Sequence, residues 1–495
     1  MTTANAPSSH ERHGPQSAGD TGRQRRRVTC ARTIWVSAAI FALSGSSSSY
    51  ATDGGSTDAL TARLAAEVSR VFKADAPGAA VIVVKDGRTI LREGVGMANL
   101  ELGVPVRPDM IFRLGSVTKQ FTAVAVLMLM EQGKLALTDE VIKFLPDYPT
   151  HGQRITIENL LTHTSGIKNY TDLPEFWAQQ RADRSPAELI SLFRDLPLDF
   201  PPGERWNYSN SGYAVLGEII EVVSGQSYGE FIEKNIFSPL AMTHSSFDRT
   251  GKVIAGRVPG YKRVGTELVN ADYMSMTLPY AAGSLLSSVD DMEKWDAALY
   301  SERLVKQSSL ERAWTSAHLN DGRLTNYGFG WMTLSIEGLR MVAHRGGVNG
   351  FSCMSVRVRD VPVYAAVLTN REGGEGNLAV KLAVLASGGE WHEPVGVALP
   401  PDALDQFTGT YRLNGSDVIN VTRKGAVLFA ALPHFGNLEL LPVSQSEFVF
   451  VADPLARIAF QGAGSAGVTL LTLKSGRGPD EQANRELPPK PPASQ

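Results

Sequence analysis

Between residues 341 and 370 three strand-like runs follow one another almost without pause. They read "MVAHRGG" (341–347), "FSCMSVRV" (351–358) and "VYAAVLTN" (363–370). Connections this short force consecutive strands to run antiparallel. A second pair sits far upstream, where "AAVIVVKDGRTILREGVGMANL" (79–100) reads as two strands joined at Asp86-Gly87, a strong hairpin signal. The chain between these blocks has helical character. Ser116 to Leu135 is apolar nearly throughout, which fits a helix buried on most sides and ended by Gly133. The run after Gly212 has helical periodicity, and "NLAVKLAVLAS" (377–387) suits a closing helix. Strands at both ends and helices between them predict an α+β domain over 55–390, its N- and C-terminal strands sharing one sheet.

At 495 residues the chain is too long for one ordinary core. Residues 391–404 have linker composition. From Phe407 the pattern changes to short alternating runs such as "GTYRL", "VINVT" and "EFVFV", so 405–478 is expected to be a small antiparallel β domain, a barrel or sandwich. Residues 479–495 are polar and Pro-rich, and are expected to form a disordered tail. At the other end, residues 1–51 are expected to comprise a disordered n-region and a signal peptide. "RQRRR" (23–27) precedes the apolar "TIWVSAAIFAL" (33–43), and small residues precede a cut after Ala51. The apolar stretch is short for a membrane span, so an uncleaved anchor is the alternative. The expected location is periplasmic or secreted. After cleavage Cys353 would be the only cysteine left, because Cys30 lies in the leader.

The net charge of -3 gives no reason to expect nucleic acid as a partner. There is no cysteine cluster, His-Glu-x-x-His, P-loop or dinucleotide fingerprint, so no metal and no cofactor is expected. Chemistry points instead to "GSVTKQFTAV" (115–124). Ser116 and Lys119 stand one helical turn apart on one face. At a helix start the dipole favours a developing alkoxide, and a lysine pressed into apolar packing loses basicity enough to act as a base. The bland reading is a serine cap and a solvated lysine.

Ser-x-x-Lys alone is weak, because Ser165 and Lys168 repeat it in "HTSGIKNY". There Gly166 follows the serine and a turn is the better reading. "GQSYG" (225–229) matches a nucleophile elbow at Ser227, but that motif needs a preceding strand, and "AVLGEIIEVV" has helical period. Gly225 then reads as a helix terminator. Two further groups fit the Ser116 reading. In "NYSN" (207–210), Tyr208 would shuttle a proton and Asn210 would orient the lysine and the substrate; helix capping is the alternative. In "AHRGGVNGF" (343–351), His344 is followed by Gly346 and Gly347, which let a substrate backbone lie against the strand. A free N–H there could pair with the N–H of Ser116 as an oxyanion hole. A tight turn with an incidental histidine is the alternative.

Ser-x-x-Lys, Tyr-x-Asn and His-x-Gly, in that order, resemble the penicillin-recognising serine hydrolases. The nearest branch is the class C β-lactamase-related group of β-lactamases, D-alanyl-D-alanine carboxypeptidases, D-aminopeptidases and esterases. "LLTHTSGI", "PPGERWNYSNSGYAVLGEIIE", "AAGSLLSSVDDMEKW" and "YGFGW" carry the likeness from about residue 58 to 388. The resemblance implies an antiparallel sheet flanked by helices beside a helical subdomain, with the site in the groove between them. It implies an acyl-Ser116 intermediate, Lys119 and Tyr208 as base and proton carrier, and Asn210 against the substrate amide. The oxyanion would be held by the N–H groups of Ser116 and Gly347. His344 stands where the lactamases carry the lysine of Lys-Thr-Gly, and Arg345 replaces a hydroxyl residue. Both departures put β-lactam hydrolysis in doubt. Arg345 could supply a carboxylate contact, but strand alternation puts it on the opposite face from His344.

The expected function is therefore exported serine hydrolysis of an ester or amide. The partner would be a small-molecule or peptide substrate, including one derived from peptidoglycan. A true β-lactamase and a non-catalytic penicillin-binding-type protein are the alternatives.

Overall fold

Asp86 and Gly87 both take positive φ, 51° and 71°, and fold β1 (Ala79–Lys85) back on β2 (Arg88–Val95). The late runs become β3 (Met332–Ile336), β4 (Leu339–Val348), β5 (Phe351–Val358) and β6 (Val363–Thr369). All six form one antiparallel sheet in the order β3-β4-β5-β6-β1-β2. Strands separated by more than 230 residues thus lie side by side, with Ala79 opposite Thr369. The computed structural model describes residues 54–486 apart from 250, 374–376, 414–416, 433–435, 463–467 and 475–478. The expected leader (1–51) and residues 487–495 lie outside the described residues.

β1, β5 and β6 are apolar on both faces because both faces are covered. Val81, Val83, Met354, Val356 and Val367 pack against helices α1 (Gly54–Val71) and α5 (Leu378–Ala386). Ala80, Ile82, Cys353, Ala366 and Leu368 face the larger core around helices α2 (Thr118–Glu131) and α3 (Asn210–Ser224). Helix α2 runs through the middle of that core, and even Thr118, Lys119 and Gln120 are buried. Gly133, at φ 70°, lets the chain leave the helix, and the Lys134 N–H caps the Leu129 carbonyl at 3.0 Å.

The C-terminal region is a closed eight-stranded barrel. Its strands are β7 (Gly409–Arg412), β8 (Val418–Lys424), β9 (Val427–Leu432), β10 (Gly436–Pro442), β11 (Glu447–Phe450), β12 (Asp453–Gln461), β13 (Leu470–Lys474) and β14 (Glu481–Arg485). The expected end of the β domain at 478 and the tail from 479 need correction. Strand β14 pairs with β13 and with β7, and so removes the last open edge. Only Ala483 of that strand is fully buried, so its polar text gave no apolar alternation to find. Among the described residues no helix is long and apolar enough to cross a membrane.

The elbow-like "GQSYG" is helix punctuation. Gly225, at φ 68°, ends α3, and Ser227 is the N-cap of the short helix α4 (Tyr228–Ile232). Ser227 Oγ accepts the Glu230 N–H, and the Glu230 carboxylate accepts both the Ser227 N–H (3.1 Å) and its hydroxyl (2.7 Å). Replacing Ser227 by alanine should cost about 1 kcal/mol of stability in urea unfolding and leave hydrolytic turnover unchanged. Loss of turnover with stability intact would restore Ser227 as a nucleophile.

Candidate active site

A 3₁₀ turn over Gly115–Val117 delivers the chain into α2, so Ser116 sits just ahead of the helix and Lys119 in its first turn. Because this end of α2 is packed on every side, Lys119 is fully buried. Its Nζ lies 2.8 Å from Asn210 Oδ1, 2.9 Å from the Ala282 carbonyl and 3.2 Å from Ser116 Oγ. No carboxylate is among these contacts. Burial therefore pushes the ammonium well below the usual lysine range. A neutral amine has two N–H donors and one lone pair. The two oxygens that can only accept, on Asn210 and Ala282, take the donors. In that neutral form the lone pair is left for the Ser116 hydroxyl, 3.2 Å away. That is the arrangement a general base needs before it activates a nucleophile.

The ring of Tyr208 lies over the same Nζ, 4.7 Å from centroid to nitrogen. Tyr208 belongs to an extended stretch between the Pro201-Pro202-Gly203 turn and α3, whose N-cap is Ser209. His163 fixes that stretch from both sides. Its carbonyl accepts the Asn207 N–H at 2.9 Å and its Nδ1 accepts the Ser209 N–H at 3.1 Å. A ring that accepts at Nδ1 carries its proton at Nε2 and is neutral. Burial above all holds its pKa well below the usual histidine range. The imidazole sits among the rings of Tyr208, Tyr327 and Tyr213, at centroid distances of 4.5, 4.6 and 5.1 Å.

Strand β4 forms the opposite wall. Its hairpin with β3 turns at Glu337-Gly338, both at positive φ, so Ile336 and Leu339 close a hydrogen-bonded pair. Counting along β4, the even-numbered residues turn their backbone groups to β5, and Arg345 and Gly347 turn theirs outward. Pairing with β3 ends at Ala343 opposite Met332, so the Gly347 N–H points past the end of that pairing. The turn carrying Ser116 approaches here. A Cβ on Gly346 would meet the Leu114 carbonyl at 1.8 Å and the Ser116 nitrogen at 3.2 Å. One on Gly115 would meet the Gly347 nitrogen at 2.7 Å. Glycine at both positions is a steric requirement of bringing two backbone N–H groups beside one hydroxyl.

His344 points to the helical side and is buried. Its Nε2 pairs with the Tyr327 hydroxyl at 2.9 Å and its Nδ1 with the Arg345 carbonyl. A carbonyl only accepts, so Nδ1 carries a proton. Burial, then Tyr213 and Tyr208, push the Tyr327 phenol well above its usual range, so it stays a neutral hydroxyl. Both nitrogens of His344 are thus spent on protein partners. Arg345 projects from the other face of the sheet, toward Asn377 and Asp453. It is not the carboxylate contact that its place in "HRGG" would allow.

The structure thus gathers Ser116, Lys119, Tyr208, Asn210, His344, Gly346 and Gly347 around one point, drawn from the 3₁₀ turn and first turn of α2, the stretch before α3 and its first residue, and β4. Ser165 and Lys168 are not among them: Lys168 pairs with Asp199, and Ser165 Oγ caps the Ile167 N–H of its own turn. Two buried residues, His163 and Tyr327, carry no assigned role in the sequence reading. Their signal was present only as part of "LLTHTSGI" and "YGFGW", where nothing local marks a side chain that holds a residue 17 or 46 positions away.

A family model described as "Beta-lactamase" matches residues 58–389. The chain is similar to penicillin-binding protein 4* of Bacillus subtilis (strain 168), 29% identical over 397 residues, covering 74% of this chain and 86% of that protein. It is also similar to the solved octameric penicillin-binding protein homologue from Pyrococcus abyssi, at 27% identity and a TM-score of 0.60, covering 87% of this chain and all of that one. A D-stereospecific amidohydrolase from Streptomyces sp. superposes with a TM-score of 0.55 at 27% identity, covering 64% of this chain and 98% of that one. With two thirds of its length matched and its sheet-and-helix architecture shared, the chain belongs to the β-lactamase family of serine hydrolases.

Proposed function

We propose that the protein hydrolyses D-amino-acid amides, or the corresponding esters, through an acyl-Ser116 intermediate. The observation that carries the mechanism is the Lys119 amine, desolvated and 3.2 Å from Ser116 Oγ. Ser116 Oγ attacks the substrate carbonyl as its proton passes to Lys119 Nζ. The oxyanion lies between the N–H groups of Ser116 and Gly347. On collapse the leaving group takes a proton through Tyr208, whose ring covers Lys119, and the acyl group stays on Ser116. A water molecule then attacks the ester, and the same groups return the proton to Ser116. Asn210 holds Lys119 and faces the substrate amide.

The preference for an amide without a free terminal carboxylate rests on charge. Among the described residues around Ser116, the position filled by a lysine in the lactamases carries His344, which is engaged with Tyr327 and the backbone. The adjoining Arg345 is turned to the far face. A β-lactam or a peptide C-terminus brings a carboxylate that needs such a cation. The likeness to the Streptomyces amidohydrolase supports the D-amino-acid choice. The same reading makes the enzyme exported, on the basic, apolar and small-residue order of 23–51.

Two outcomes test this. With purified protein, D-phenylalanine p-nitroanilide or amide should turn over faster than its L-enantiomer, and nitrocefin should be hydrolysed on the order of a hundredfold more slowly, about 3 kcal/mol in the barrier. Ser116→Ala should remove all three activities. Efficient nitrocefin turnover would favour the lactamase reading, and activity surviving Ser116→Ala would reject the site.

The pH dependence follows from Lys119. Its pKa in the fold is depressed, so it is the free base above that lowered value and an ammonium below it. kcat/KM should therefore hold a plateau through neutral pH and fall only on the acid side. Lys119→Arg, charged throughout, should lose on the order of a thousandfold at every pH. The linkage runs the same way. Between the lowered pKa and the unfolded value near 10.4, the unfolded chain binds the extra proton, so this group's contribution to stability grows with rising pH. A rate that climbs up to pH 10 would contradict the depressed pKa.

A further inference from the structure

The end of β4 that carries the site is paired through its backbone on one edge only. From His344 to Val348 it is paired with β5 alone, because β3 stops at Ala343. Gly346 and Gly347 have no side chains with which to pack. On the helical face the segment is held by His344 against Tyr327. On the other face the only side chain available between Ala343 and Val348 is Arg345, and it meets the C-terminal barrel. Its guanidinium donates to Asn377 Oδ1 and lies 3.4 Å from Asp453 Oδ1, and Asn377 Nδ2 donates to the same Asp453 oxygen at 3.0 Å. Asn377 is the N-cap residue of α5, and Asp453 opens barrel strand β12. The Arg345 and Asp453 side chains are 22% and 13% exposed, so the pair is screened by protein more than by water.

A cleft of about 680 Å³ separates strand β3 from Glu447, Leu455, Arg457 and Lys474 of the barrel. Leu455 packs on the core beneath the sheet, two residues from Asp453. The Arg345–Asp453–Asn377 cluster is a polar strut between β4 and the barrel. Burial raises the Glu481 carboxyl of β14, Asp417 adds to the rise, and the charges of Arg205 and Arg323 oppose it. Arg205 lies three residues before Tyr208.

We propose that the barrel takes part in the reaction through Asp453, which holds Arg345 and so keeps His344 and the Gly347 N–H in register with Ser116. Arg345 and Asp453 are positioning residues, and the inference rests on the reading of Ser116 and Gly347 given above. The strut converts a separate β domain into one support of the oxyanion site. A displacement of β4 by a fraction of an ångström would weaken a donor used in both acylation and deacylation.

The test uses the full chain, once hydrolysis by the parent and its loss in Ser116→Ala have established the reading of the site independently. Asp453→Asn keeps shape and removes the charge; Arg345→Ala removes the strut. Each should lower kcat by about tenfold with KM within about twofold, and slow fluorophosphonate labelling of Ser116 to match. The double variant should be no worse than the weaker single one, because both act through one contact. Asp453→Asn should melt near the parent temperature. Leu455→Ala, which loosens the same docking surface without touching Arg345, should leave kcat within about twofold. Parent-like kcat in Asp453→Asn, additive losses in the double variant, or an equal loss in Leu455→Ala would each overturn the proposal.

Discussion

A lysine held out of water, with no carboxylate among its contacts, is the interaction on which the rest of the site depends. Lys119 is buried because α2 runs through the middle of the larger core, and a charged ammonium there would need compensation that the core does not supply. The fold resolves this by lowering its pKa. Asn210 and the Ala282 carbonyl consume its donors, and the remaining lone pair faces Ser116. The same burial that would make an unpaired lysine a liability lowers its pKa and suits it to act as a base.

The second wall obeys a different constraint, that of backbone approach. The turn of Ser116 and the end of β4 come so close that Gly115 and Gly346 admit no side chain. Glycine supplies that closeness and takes away packing, so the strand end has to be located by its neighbours. His344 locates it from one face and Arg345 from the other. Alternation along a strand assigns these two adjacent residues to opposite faces and hence to separate tasks.

Much of this is readable from the chain. The hairpin at Asp86-Gly87, the short connections after residue 341 and the apolar run from Phe121 each follow a local rule, and together they give the α+β sheet with its covered faces and the β domain behind it. Strand β14 was hidden because a barrel strand with one buried residue, Ala483, reads as polar coil. Ser116 and Lys119 could be paired because a helical turn joins them. His163 and Tyr327 could not, since their roles arise from contacts with Ser209 and His344 that no periodicity encodes. The destination of Arg345 was equally closed to inspection: alternation gives its face, but Asp453 lies 108 residues further on, in the barrel.

The central claim is that Lys119 rests as a neutral amine. Nitrogen-15 NMR of the lysine side chains, with Lys119 assigned by its absence in Lys119→Arg, measures this directly. The account predicts a ζ-amine that remains unprotonated at neutral pH and takes up its proton only on the acid side, while other lysines titrate near their ordinary 10.4. A Lys119 resonance that stays an ammonium through neutral pH and titrates with the rest would contradict it.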